Sequence, residues 1–231
     1  MSDDFLISCA QKLGYEFLNI DLLHEALMHR SWQAENNETR SNERLEFLGD
    51  AVLGWVVADI AYHRLGDMPE GKLTDLRRSV VNTFALADLA RELDIGQFIL
   101  LGKGEMAGGG RDKSSILADT FEALIGAVYL DGGASAAFAV VEKIMTPSIE
   151  DAIPRLDMFD SKTRLQELCA RTGRGVPVYT TEGEGPDHER VFTAQVFVSG
   201  QSLGHGVGRT KKAAEQVAAL AAFDVLAARD A

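Results

Sequence analysis

Acidic residues recur at helical intervals in two otherwise apolar segments of this chain. Asn42-Glu43-Arg44-Leu45-Glu46-Phe47-Leu48-Gly49-Asp50 carries carboxylates at 43, 46 and 50, and steps of three and four put them on one side of a helix. Leu45, Leu48 and Val52 take the adjoining, core-facing side. Leu117-Ala118-Asp119-Thr120-Phe121-Glu122-Ala123-Leu124 sets Asp119 and Glu122 one turn apart in a second apolar stretch. Carboxylates embedded in apolar helices are costly unless something compensates them, and like charges at such spacings repel. Packed together, the two helices would gather Glu46, Asp50, Asp119 and Glu122 into one cluster. All-oxygen ligation suits a hard cation, magnesium or manganese. Such an ion can polarise a phosphodiester and acidify a water into a nucleophile near neutral pH.

Two other readings of the same acids compete. They could be solvated faces with ordinary ion pairs, Glu43 with Arg44 or Arg40 for instance. They could also belong to a carboxylate-bridged di-iron bundle. That site wants Glu-x-x-His pairs, and neither acidic segment has a histidine at the third place.

The elements that must position these acids are helical. Across residues 1–150 apolar residues repeat at three and four, as in Leu45, Leu48, Val52, Trp55 and Val56, then Ile116, Phe121, Leu124, Ile125 and Val128. Ser41 or Asn42 is the expected N-cap of the first acidic helix, and Gly108-Gly109-Gly110 is a loop before a helix starting near Ser114 or Ser115. Pro147, Pro154 and the polar run to Asp160 predict a linker, placed at 151–159. Beyond it the periodicity changes. Ser161–Arg171 reads as a helix, Val176–Thr181 as a strand, and Gly183–Asp187 as a turn. Phe192, Ala194, Val196 and Val198 alternate as in a half-buried strand, Ser199-Gly200 is a hairpin turn, and Ser202–Val207 is a third strand. An Ala-rich helix follows over Lys211–Ala228. The expected fold is an all-α domain (1–150), a linker and a small α-β-β-β-α domain (160–228).

Composition bounds the partners. Hydrophobic residues are 46% and charged residues 25% of 231, as in an ordinary globular protein. The net charge is −12, which by itself argues against nucleic acid. Residues 1–159 hold 14 Lys+Arg against 26 Asp+Glu, while residues 160–231 hold nine of each. Any affinity for nucleic acid must therefore come from local cations or from metal ions. Two distant cysteines, Cys9 and Cys169, suggest reduced core thiols. The acidic start Met1-Ser2-Asp3-Asp4 and the lack of a long apolar run predict a cytoplasmic protein with no membrane partner.

One resemblance is specific. Asn42 to Leu53, NERLEFLGDAVL, is similar to the signature of the ribonuclease III family. The match continues through Met68-Pro69-Glu70-Gly71, Leu73, Lys113–Asp119 and Leu130-Asp131. The resemblance implies that Glu46, Asp50, Asp119 and Glu122 bind catalytic Mg2+, with Mn2+ a possible substitute. It implies that Asp50 and Glu122 are indispensable, that Glu43 and Glu70 assist, and that Phe47 packs across a homodimer interface. No small-molecule cofactor is expected. The implied activity is cleavage of double-stranded RNA to 5′-phosphate and 3′-hydroxyl ends with short 3′ overhangs, in maturation of ribosomal, messenger and transfer RNA precursors.

Residues 160–228 resemble a double-stranded-RNA-binding domain. Asp160–Glu167 matches its first helix, Gly185-Pro186-Asp187-His188 its minor-groove loop, and Gly208–Glu215 the start of its last helix. This implies RNA contacts from Lys162, Thr163, Gln166, Glu167, Pro186, His188, Arg209, Lys211 and Lys212. Cations at a helix start attract phosphate, and Gln166 and His188 can bond 2′-hydroxyls. A non-catalytic RNA-binding protein of the same fold is the alternative. Such a protein has no need for Asp50, Asp119 and Glu122 together.

Overall fold

The helical spacings of the first 150 residues resolve, in a computed structural model, into a succession of helices; the structure describes residues 3–156, 161–186 and 190–230. They are α1 (Asp3–Leu13), α2 (Ile20–Ala26), α3 (Arg30–Asn36), α4 (Glu43–Arg64), α5 (Glu70–Val80), α6 (Thr83–Glu92), α7 (Lys103–Ala107) and α8 (Ser114–Ala152). The chain divides into two compact units, Met1–Ala152 and Ile153–Ala231. In the first, α8 packs along α4 and α6, with α2 and α5 on its flanks. Leu53, Val56, Phe121, Leu124 and Ile125 are fully buried where α4 and α8 meet, each worth about 1.5–3 kcal/mol of burial.

Several expectations are corrected in detail. Asn42 does occupy the N-cap position of α4, but its backbone is helical (φ −70°, ψ −11°) and its side chain makes no cap bond. Its backbone N–H goes instead to the Met28 carbonyl at 2.8 Å, and the Ser41 hydroxyl goes to the Glu43 carboxylate at 2.9 Å. Pro147 lies inside α8, not in a linker. Met145, Ile149 and Ala152 are buried at steps of four and three around it, so packing outweighs the hydrogen bond a helical proline forfeits. The Ser114–Ala152 segment is interrupted at Gly133, whose φ of 74° and ψ of −171° end one helix and start the next. Among the described residues this is the one helix long and apolar enough to cross a membrane by length and composition. Its buried residues belong to the protein core.

In the second unit α9 (Ser161–Arg171) is followed by β1 (Val178–Glu184), β2 (Val191–Val198), β3 (Gln201–Gly208) and α10 (Lys211–Asp230). The sheet is antiparallel in the order β1-β2-β3. β1 runs three residues further than the sequence predicts, taking Gly183 and Glu184 from the expected turn, because they pair with Phe192 and Val191. Ser199 and Gly200 both have positive φ, 51° and 78°, the signature of a two-residue type I′ hairpin. Ala194, Val196 and Val198 face α9 and α10 in one core with Leu165, Leu168, Ala218 and Ala222. The expected linker begins helically, with Asp151 and Ala152 in α8 and Ile153–Arg155 in a 3-10 turn.

Candidate active site

The approach of α4 to α8 is set by two glycines. A Cβ on Gly49 would lie 1.8 Å from the Glu122 carbonyl oxygen, and one on Gly126 would lie 2.3 Å from the Leu45 carbonyl oxygen. Neither distance is tolerable for any other residue, so the two backbones touch only because these positions lack side chains. That contact brings the acidic faces together. Glu46, Asp119 and Glu122 each offer a carboxylate oxygen within 4.8 Å of the other two, and all three are half-buried. Asp50 is exposed and lies outside that close group, although its charge acts on both Glu122 and Glu46. The predicted four-acid cluster is thus three close carboxylates with a fourth beside them.

The electrostatics are those of an uncompensated cluster. Burial, then the charges of Asp50, Asp119 and Glu46, push the Glu122 carboxyl up to about 8 from 4.5. Burial and the neighbouring acids Asp119, Glu43 and Asp50 raise Glu46 too, against the pull of Arg30. Asp119 is raised by burial and relieved in part by His29 and Arg30. Three oxygen-only donors gathered within 4.8 Å of one another are the chemistry a hard divalent cation takes, so the residues present fit such an ion.

The assisting acids stand further out. Glu43 is exposed in the first turn of α4, with the Ser41 hydroxyl at 2.9 Å and the Arg30 guanidinium at 4.0 Å. Glu70 is exposed at the start of α5 and accepts from the Thr74 hydroxyl at 2.9 Å. It is not among the mutually close carboxylates. Phe47 is 82% exposed, the most exposed of the three outward aromatics of α4, with Tyr62 and Trp55.

In the second unit Thr163, Gln166 and Glu167 are exposed on α9, Pro186 is exposed after β1, and Arg209, Lys211 and Lys212 are exposed around the start of α10. Lys162 is engaged internally. Its ammonium pairs with Glu215 at 2.7 Å and sits 4.4 Å from the Tyr179 ring centre, while its backbone N–H donates to Gln216. His188 lies outside the described residues.

Sequence reasoning singled out the acids but not the glycines that let them meet. Gly49 stood inside the quoted motif, yet one sequence cannot say which backbone will press on it. His29 and Arg30, the non-acidic neighbours of the cluster, were also missed, because they precede the acidic helix by a dozen residues and more.

Comparison with known proteins agrees with this geometry. Residues 19–149 match the Ribonuclease-III-like family, and residues 161–226 match the double-stranded RNA binding motif. Ribonuclease 3 of Streptomyces coelicolor is 54% identical over 92% of this chain and 76% of its own length. That of Nocardia farcinica is 49% identical over 98% and 95%. The nuclease domain of ribonuclease III from Campylobacter jejuni superposes with a TM-score of 0.58 at 39% identity, covering 67% of this chain and 98% of that domain. A second structure of that domain, described for flexibility in the region involved in dimer formation, gives a TM-score of 0.57 at 40% identity, covering 64% and 97%. With its carboxylate cluster on two touching helices and an α-β-β-β-α unit later in the sequence, the chain belongs to the ribonuclease III family, endonucleases of double-stranded RNA.

Proposed function

We propose that the protein is a magnesium-dependent homodimeric nuclease in which Glu46, Asp50, Asp119 and Glu122 hold the ion, with manganese able to substitute. The observation that carries this is the 4.8 Å grouping of Glu46, Asp119 and Glu122 at the crossing of α4 and α8. A divalent ion there supplies Lewis acidity to a phosphoryl oxygen and acidity to a water. The residues supply the rest. Glu122, crowded by three acids, gives up its proton when a cation takes that proton's place. Asp50, exposed at the rim, completes the donor set from solvent. Asp50 and Glu122 are indispensable in this reading, and Glu43 and Glu70 act from the periphery. The products are 5′-phosphate and 3′-hydroxyl ends with short 3′ overhangs. Ribosomal, messenger and transfer RNA precursors are the substrates, in the cytoplasm and without a small-molecule cofactor. The test is Glu122→Ala: duplex cleavage is lost while binding in a gel-shift assay persists; undiminished cleavage would overturn the assignment, and joint loss of both would point to a folding defect instead.

The dimer is supported by a self-complementary face. Phe47 projects from α4 near a hollow of about 450 Å³ lined by Asp50, Ala51, Gly54, Trp55, Ala58, Arg77, Arg78 and Val81. A knob on α4 beside a hollow between α4 and the end of α5 suits an isologous two-fold contact, in which each Phe47 meets its partner's hollow. Phe47→Ala would then shift sedimentation toward the monomer.

The RNA-binding unit is assigned to 160–228 after a linker at 151–159, with the catalytic domain at 1–150. Thr163, Gln166, Glu167, Pro186 and His188 would read minor-groove shape, and Arg209, Lys211 and Lys212 would meet phosphates. Lys162 would join them only by sharing its ammonium with Glu215.

A further inference from the structure

The segment leading to the metal cluster holds a histidine whose tautomer is fixed by its neighbours. Leu27–His29 runs beside Leu100: the Leu100 N–H donates to the Leu27 carbonyl at 2.8 Å, and the His29 N–H to the Leu100 carbonyl at 3.1 Å. The Met28 carbonyl accepts from Asn42 N–H, the residue that starts α4 and precedes Glu43. The residue before His29 is thus tied to the turn that carries Glu43 and Glu46. Its ring is equally constrained. Nδ1 accepts the Ser31 backbone N–H at 3.2 Å and lies 2.8 Å from the Ser31 hydroxyl. That hydroxyl accepts the Gly102 N–H at 2.9 Å, which leaves its own proton to donate to Nδ1. A nitrogen that accepts carries no proton, so the proton of the neutral ring is on Nε2.

Nε2–H has no acceptor among the described residues, and the half-buried ring lies within electrostatic reach of Glu105, Asp119 and Glu43. A neutral N–H of fixed tautomer, close enough to feel the charges of Asp119 and Glu43, is suited to one task in a phosphodiesterase. It can bond a phosphate oxygen without competing for the carboxylates as a full cation would.

We propose that His29 donates its Nε2–H to a non-bridging oxygen of the RNA phosphate held at the carboxylate cluster. Ser31 and Gly102 are the positioning groups that fix its tautomer and angle. The inference rests on the nuclease reading above and adds a substrate-contacting residue to it.

His29 also caps the start of α3, its Nδ1 accepting the Ser31 N–H, and two substitutions separate the proposed role from that capping role. Asn reproduces the Nδ1 acceptor and lacks the Nε2 donor, so His29→Asn keeps the cap. Gln reproduces the Nε2 donor and loses the cap. Single-turnover cleavage of an RNA duplex by the full chain in magnesium is compared with thermal melting and with magnesium-induced stabilisation. His29→Asn is expected to melt and bind magnesium like the parent while cleaving about 100–1000-fold more slowly, the size of one lost preorganised donor. His29→Gln is expected to melt lower but cleave faster than the Asn variant. One phosphorothioate diastereomer at the cleaved bond should slow the parent and add little to His29→Asn, since both changes delete the same hydrogen bond. Unchanged cleavage by His29→Asn, or fully multiplicative penalties with both diastereomers, would overturn the proposal. Absence of cleavage by the parent would overturn the nuclease reading instead.

Discussion

Replacing Glu122 by Gln tests whether the carboxylate cluster is held together at a cost to the fold. The folded protein keeps a proton on Glu122 up to a pH of about 8, while the unfolded chain releases it near 4.5. Between those values unfolding releases a proton, so the metal-free protein loses stability as pH rises from about 4.5 to about 8. At ~1.4 kcal/mol per pH unit the ceiling on that loss is about 5 kcal/mol. Glu122 is only half-buried, and solvent screening reduces the expected value to roughly 1–2 kcal/mol. Gln has the same shape and no charge to penalise. Differential scanning fluorimetry in chelator should show the variant level with the parent at pH 5. By pH 8 it should melt about 2–8 °C higher, at roughly 2–4 °C per kcal/mol for a domain of this size. Magnesium should then raise the parent at pH 8 and leave Glu122→Gln nearly where it was. A variant less stable than the parent at pH 8, or a gap independent of pH, would refute the reasoning.

Two further outcomes follow from the packing and the charges. Gly126→Ala drives a methyl group into the Leu45 carbonyl, costing about 1–3 kcal/mol of overpacking; the protein should melt several degrees lower and show weaker magnesium stabilisation, measured by the same assay. Lys211→Ala and Lys212→Ala should each reduce the slope of log affinity against log salt for duplex binding by about one, with uniform weakening across duplex sequences, as fluorescence anisotropy would report.

Legibility differed between elements for physical reasons. The acidic positions could be read because helical spacing and apolar neighbours make a carboxylate conspicuous, and Glu46, Asp119 and Glu122 do meet. The α-β-β-β-α order could be read because the period changes from 3.6 to 2 after residue 175 and the Ser199-Gly200 turn is chemically distinctive. Pro147 misled because its intrinsic preference is local, whereas the buried faces of Met145 and Ile149 that keep the helix going depend on distant partners. Gly49 and Gly126 were not readable as a pair because a backbone contact between residues 77 positions apart leaves no periodic trace in one sequence. The tautomer of His29 was equally hidden, since it depends on Gly102 across the chain.

The most direct test of the central claim is cleavage of an end-labelled RNA duplex by the purified protein in magnesium, in calcium and in chelator. The carboxylate cluster predicts cutting in magnesium into short duplexes with 5′-phosphate ends, none in chelator, and binding with little cutting in calcium, whose larger and looser coordination places water poorly. Equal rates in calcium and magnesium, or binding without cutting in magnesium, would contradict it.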